Sequence, residues 1–390
     1  MKDSAITAEI ISVGKVLTDI IKADLAGNEF SLPADVDFVR LYNLCEIHRV
    51  TPLVAKAVLE CDFAPQEIKA KFKKELFKTA MRYESQQKER LELTEELTKR
   101  GIRHCFLKGH KLSRYYPAPE QRFMLDMDVW VEPDKISSAE KILIDRGYEA
   151  CSFADDKDIG YIKKPFLNVE IHKELKYDYD KGYEYYKGAF DRLQTVENTC
   201  EMNMTNEDFY VYILSHCAHH FETAGTGIRN VLDHYYLNKK LKPLCNEATL
   251  EENLKATGLS EFCKRMDSLS DFWFANGTGD ESLQEMADYI VLSGVFGNET
   301  NHYLSGILRG DYSESKSSFV LSRAFPPVSK LKDRYPVLKK APFLLPFIWL
   351  LRIVSALLGK KAYKDEIKTA NSVTDDEKQI FASFIRKNGL

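Results

Sequence analysis

Three acidic residues and a lysine–glycine turn are the parts of this chain whose types and spacing suit chemistry. Asp126 and Asp128 stand two apart in Leu125-Asp126-Met127-Asp128-Val129-Trp130-Val131. That alternation of acid and apolar residues predicts a β-strand with both carboxylates on one face. Two carboxylates on one face can hold Mg²⁺. A second strand-like segment, Leu167-Asn168-Val169-Glu170-Ile171-His172, turns Val169 and Ile171 toward a core and Asn168, Glu170 and His172 the other way. If the two strands are neighbours, Asp126, Asp128 and Glu170 form a triad. Upstream, Leu107-Lys108-Gly109-His110 reads as a strand ending in a turn and a short helix. There Gly109, without a Cβ, lets backbone N–H groups approach a phosphate, and Lys108 adds a point charge. Arg122, four residues before Asp126, can pair with phosphate oxygens in a fork. The combination points to metal-dependent chemistry on a nucleotide. Taken singly, each residue has a plainer role: Asp-x-Asp as a solvated strand face, Lys108 as a surface lysine, and Arg122 as a clamp on an acidic neighbour.

The elements that must position these groups follow from periodicity. Apolar residues recur at helical spacing from about Ala5 to Ala26 and from Asp35 to Glu60. Pro65 opens a long charged run with no internal Gly or Pro until Gly101, predicted as one helix. Strands are predicted at 102–107, 127–131, 148–153, 160–164 and 168–172, with a short helix at about 110–116 and another at 133–146. The expected result is an α+β chain, a small mixed sheet with helices on one side. Its divisions are a helical region at 1–100, an α/β core at 101–200 and a helical region at 201–390. In the last region His216, His219 and His220 fall within one helical stretch, and Arg229 and Asp233 stand at i and i+4, the spacing of a helix salt bridge.

Leu107-Lys108-Gly109, Tyr116-Pro117, the Arg122-x-x-x-Asp126-x-Asp128 run and Glu170 before His172 together resemble the uncharacterised nucleotidyltransferase family of the polymerase-β-like superfamily. The likeness extends upstream to His48-Arg49-Val50-Thr51-Pro52-Leu53-Val54. Downstream it takes in His219/His220, Arg229-Asn230-Val231-Leu232-Asp233, Arg334-Tyr335-Pro336 and Leu344-Leu345-Pro346. The resemblance implies transfer of an NMP group from an NTP to a hydroxyl by a two-Mg²⁺ mechanism. Asp126 and Asp128 would hold both metals. Glu170 would complete the metal site that activates the acceptor, or act as its general base. Lys108, Gly109, His110 and Arg122 would hold the nucleotide, and His172, His219, His220, Arg229 and Asp233 would line the pocket. Two positions depart from the superfamily pattern, His110 after Gly109 and Leu125 before Asp126. They keep a non-catalytic nucleotide-binding or scaffold module as an alternative, beside transfer of a phosphoryl or sugar group from the same site.

Composition narrows the partners. The chain has 390 residues and a formal net charge of -4, which argues against a nucleic-acid partner, since backbone recognition needs a basic surplus. Its eight cysteines are scattered and include no Cys-x-x-Cys, the pattern of reduced thiols in a cytoplasmic protein. The expected partners are therefore an NTP and a protein, peptide or small-molecule acceptor. Residues 341–361 are strongly apolar and lysine-flanked but broken by Pro342, Pro346 and Arg352. They read as a core helix or, alternatively, as a peripheral membrane contact.

Overall fold

The computed structural model describes residues 4–151, 159–175, 182–295, 297, 300–301, 304–305, 325–331, 335, 337–359 and 374–390. Helix α1 spans Ser4–Leu25. The stretch expected as one helical segment after Asp35 is instead two helices, α2 (Phe38–His48) and α3 (Thr51–Glu60). Pro52 has no N–H to continue α2, but it fits the first turn of a new helix. The chain breaks at Arg49, which takes a left-handed φ of 56°.

The charged run becomes α4 (Gln66–Lys99). Gly101, at φ 66°, ends it: its N–H bonds Thr98 O at 2.9 Å and the Ile102 N–H bonds Leu97 O at 2.9 Å, satisfying carbonyls that the helix leaves open. The chain then passes straight into β1 (His104–Phe106), and β2 (Met127–Val131) returns antiparallel to it. After α6 (Ile136–Asp145) come β3 (Glu149–Cys151), β4 (Ile159–Lys163) and β5 (Leu167–His172). The order across the sheet is β1-β2-β5-β4-β3, with β2 and β5 the parallel pair. Between β1 and β2 lies the short helix α5 (Gly109–Ser113).

Alternation along the strands sorts the two faces. Met127, Val129, Val131, Val169 and Ile171 pack with Leu93 and Leu97 of α4 and Ile142 and Leu143 of α6. The opposite face carries Asp128, Trp130, Glu170 and His172, and Trp130 joins the main helical core. The sheet is thus covered on both faces, not on one as the sequence suggested. The second cover comes from distant chain: after the turn α7 (Tyr183–Tyr186), helices α8 (Asn206–Thr223), α9 (Ile228–Tyr236), α10 (Glu247–Ala256), α11 (Ser260–Phe274) and α12 (Glu281–Ser293) share one core with α1 to α3.

The helix at Leu345–Gly359 stands apart from that core. Ile348 packs in a small cluster with Leu331 and Leu338, while Phe343, Phe347, Leu350 and Leu351 are exposed. Among the described residues no helix is long and apolar enough to cross a membrane.

One buried histidine ties the two helical regions together beside the site. His48, fully buried, accepts from the Ile228 N–H at Nδ1 (3.1 Å) and donates from Nε2 to Val291 O (3.1 Å), so the ring must be neutral. Burial pushes its pKa down to about 4, while an unfolded chain takes up that proton near 6.5. Its contribution is therefore complete above pH 6.5 and is lost as pH falls toward 4, by about 3 kcal/mol at most. Urea unfolding across this window should show stability falling with pH, and the slope should flatten in His48→Gln; an unchanged slope would remove His48 from the account.

Candidate active site

The register of β2 against β5 builds the site. Asp128 lies directly beside Glu170, and Trp130 beside His172. Asp126 sits just before β2, on the loop that leads into it. The carboxylate of Asp128 is buried, and its Oδ1 accepts from Lys108 Nζ at 2.8 Å and from His172 Nε2 at 2.8 Å. Burial alone would raise its pKa, but Lys108 and His172 outweigh that and hold it well below the ordinary range.

Its neighbours respond in the opposite direction. Burial, then repulsion from Asp128, raises Asp126. Glu170 is pushed up to about 7 by burial and by the charges of Asp128 and Asp126. Burial works against the Lys108 ammonium, yet Asp128, Tyr212 and Asp126 keep it above its usual value. Lys108 itself takes φ 41° and ψ -108°, a conformation that L side chains rarely adopt and that costs ~1–3 kcal/mol. A glycine would relieve that strain but would lose the ammonium that bonds Asp128.

The loop before Asp126 is pinned at every residue. Arg122 forms a two-pronged bond with Asp233 of α9, Nε to Oδ1 at 2.7 Å and a second guanidinium nitrogen to Oδ2 at 2.8 Å. The Phe123 ring is met by Arg49 and Arg82, whose guanidinium carbons stand 4.9 and 5.1 Å from its centre. Gln86 of α4 reaches the carbonyls of Met124 and Leu125, both at 3.4 Å. Gly109 belongs to the same packing: a Cβ there would stand 2.7 Å from Met124 Sδ and 3.1 Å from an Arg122 nitrogen. The missing side chain thus lets this loop close over the turn, a requirement separate from phosphate approach.

A cavity of about 430 Å³ opens over these groups, its lining including Lys108, Gly109, Asp126, Asp128, Glu170 and His172. Tyr212, His216, His219, His220, Arg229 and Asp233 line it as well. His216 and His220 approach each other at 3.3 Å between Nε2 atoms, one turn apart on α8. The candidate site residues therefore converge on one cavity, with two exceptions in role. His110, expected at the nucleotide, is turned toward α4 and held by Gln87 (3.1 Å) and Arg114 (2.7 Å), outside the cavity lining. Burial, with Arg90 and Arg114 beside it, pushes its pKa down to about 3, so the ring is neutral. Arg122, expected on phosphate, is committed to Asp233.

The metal-capable grouping also differs from the expected triad. Ligand atoms of Asp128, Glu170 and His172 lie within 4.8 Å of one another, and Asp126 stands outside that set. Tyr212, beside Lys108 and Asp128, was not anticipated; its signal was its place one turn before His216 on the same face of α8.

The profile of the family described as uncharacterised nucleotidyltransferase matches residues 34–275. The chain belongs to this family and is a transferase of the nucleotidyltransferase type. No match was found to a curated protein or to a solved structure.

Because Glu170 holds its proton up to about pH 7, a cation that binds there must displace it. Mn²⁺ or Mg²⁺ affinity, measured calorimetrically, should be about tenfold tighter at pH 8 than at pH 6, with proton release on binding. In Glu170→Gln the pH dependence should vanish across that interval. An equally steep dependence in the variant would exclude Glu170 as the titrating ligand.

Proposed function

We propose that the protein transfers an NMP group from an NTP to a hydroxyl of a protein, peptide or small-molecule acceptor. The observation that carries this reading is the side-by-side register of Asp128 and Glu170, with Asp126 two residues upstream, on the floor of one cavity. Mg²⁺ fits the donor set, since carboxylate oxygens are hard ligands, and two neighbouring carboxylates with raised pKa values favour a bound cation. Asp126, Asp128 and Glu170 would hold two ions, with His172 orienting Asp128. When bound, the ions would lower the pKa of the acceptor hydroxyl and neutralise the leaving pyrophosphate.

This chain's own groups supply the remainder. The acceptor oxygen forms a bond to the α-phosphorus as the bond to pyrophosphate breaks. If Glu170 is not a metal ligand, it is instead the residue suited to take the hydroxyl proton, its pKa being near neutrality. Lys108 bonds the Asp128 carboxylate and lines the cavity with the acids, so its ammonium would also meet a phosphate brought to them. The same carboxylates suit phosphoryl or glycosyl transfer, which the mass of the adduct separates.

Purified protein, alone and added to a lysate, should yield a product one nucleotide heavier after incubation with an NTP and Mg²⁺, read by intact mass and by metabolite mass spectrometry. The Asp126→Asn/Asp128→Asn double variant should yield none. A phosphoryl- or hexosyl-sized gain would replace the transferred group, and NTP binding with no adduct of any kind would leave a nucleotide-binding module.

A peripheral membrane contact through 341–361 is a second proposal, carried by the exposed row Phe343, Phe347, Leu350 and Leu351. Phe347, Leu350 and Leu351 share one side of the helix Leu345–Gly359, Phe343 stands on the 3₁₀ turn before it, and the sequence flanks them with Lys339, Lys340, Lys360 and Lys361. The eight unpaired thiols fit a cytoplasmic setting. Full-length protein should co-sediment with anionic liposomes and Phe347→Ser/Leu350→Ser should not. Equal sedimentation of the two would dismiss the contact.

A further inference from the structure

We propose that Arg229 is the receptor for a phosphate group of the substrate, the role that residue spacing assigns to Arg122. The proposal rests on the nucleotidyl-transfer reading and names the residue of that site which meets the polyphosphate. On an isolated helix Arg229 and Asp233, four apart, would pair with each other. In the folded protein Asp233 is already taken. Its Oδ1 accepts from Arg122 Nε (2.7 Å) and from the Tyr116 hydroxyl (2.8 Å), and its Oδ2 from a second Arg122 nitrogen (2.8 Å). Those three donors leave Asp233 little capacity for another cation.

Arg229 is left with an unusual set of neighbours. One terminal nitrogen donates to Phe123 O at 3.0 Å, and its Nε, closed off from solvent, has no hydrogen-bond partner. Among the described residues no carboxylate lies within ion-pair distance of it, whereas Arg122 beside it is a like charge. Burial, then Arg122, lowers its pKa to about 10 against the pull of Asp233 and Asp126, neither of which bonds it, so the guanidinium stays charged at neutral pH. A buried charge with an unmet N–H is costly, and an anion in the cavity that supplies counter-charge, with acceptors for the terminal nitrogens, offsets part of that cost.

The position indicates which anion. Arg229 lines the same cavity as Lys108, Asp126 and Asp128, and is near enough to Asp126 to lower that carboxylate's pKa. An inorganic or nucleotide polyphosphate brought to three acids needs fixed positive charge opposite them. A guanidinium is suited to that, because its planar fork bonds two oxygens of a tetrahedral phosphate. The competing role is purely mechanical, a tether from α9 to the Phe123 carbonyl that steadies the loop carrying Asp126.

Calorimetry on the full chain with Mg²⁺ separates the two, using pyrophosphate and a non-hydrolysable NTP as ligands and Mn²⁺ binding as the readout of the carboxylates. Arg229→Gln and Arg229→Lys are compared with wild type after thermal melts establish that each folds. The expected result is at least about tenfold weaker pyrophosphate and NTP binding in both variants, with Mn²⁺ affinity within about twofold of wild type. Lysine can keep the tether but not the fork. Phosphate binding that survives in Arg229→Lys, or Mn²⁺ affinity that falls in parallel with it, would overturn the proposal in favour of the tether. If wild type binds pyrophosphate through Arg229 but no NTP, the phosphate receptor stands and nucleotide as substrate falls. If wild type binds neither, both fall.

Discussion

Everything around the site answers to one constraint: parallel pairing of β2 and β5 sets Asp128 beside Glu170, with Asp126 close by, in a partly dry setting. Like charges this close raise each other's pKa unless cations are brought in. The protein supplies two groups to Asp128 itself, Lys108 and His172, each at 2.8 Å from the same oxygen. Asp128 is consequently ionised, and the unrelieved repulsion falls on Asp126 and Glu170. One acid is thus held charged and two are driven toward protonation, the electrostatic pattern on which the proposed cation site rests.

Holding that arrangement requires support from chain far away in sequence. The loop that delivers Asp126 is anchored by α9 through Arg122 and Asp233, met by Arg49 and Arg82, and bonded to α4 through Gln86. α9 is in turn fixed by His48, whose ring joins the first residue of α9 to the end of α12. The N-terminal and C-terminal helices therefore form the rigid support of the acids, a division of labour expected where a site needs precise geometry. Breaking any of these buried polar links would leave a charge or an N–H without a partner, which is costly away from water.

Family membership defines the class of chemistry, but the cavity gives that class its particular shape. The histidines of α8 and Arg229 of α9 line the same cavity as the acids. They come from helices outside the sheet, so the two parts of the cavity lining are carried by separate elements.

Much of the sheet was legible in the sequence because its signals are local. Acid–apolar alternation marked β2 and β5 and their faces, Gly101 marked the end of α4, and the Lys-Gly turn marked the entry to α5. The break between α2 and α3 had a local signal too, Pro52, which the helical spacing from Asp35 to Glu60 obscured. Partner choice had no such signal. An arginine four residues from an acid looks the same whether it pairs with that acid or loses it to a distant rival. Only the fold, by bringing Arg122 and Tyr116 onto Asp233, decided that Arg122 is a clamp and left Arg229 facing the cavity. Likewise His110 follows the turn glycine in sequence, but its direction was settled by α4, whose Gln87 captures the ring. The sequence by itself determined which residues carry charge and which face of each strand they share, because those depend on residue type and backbone period. The tertiary structure alone decided which charges meet, because that depends on contacts between segments 20 to 117 residues apart.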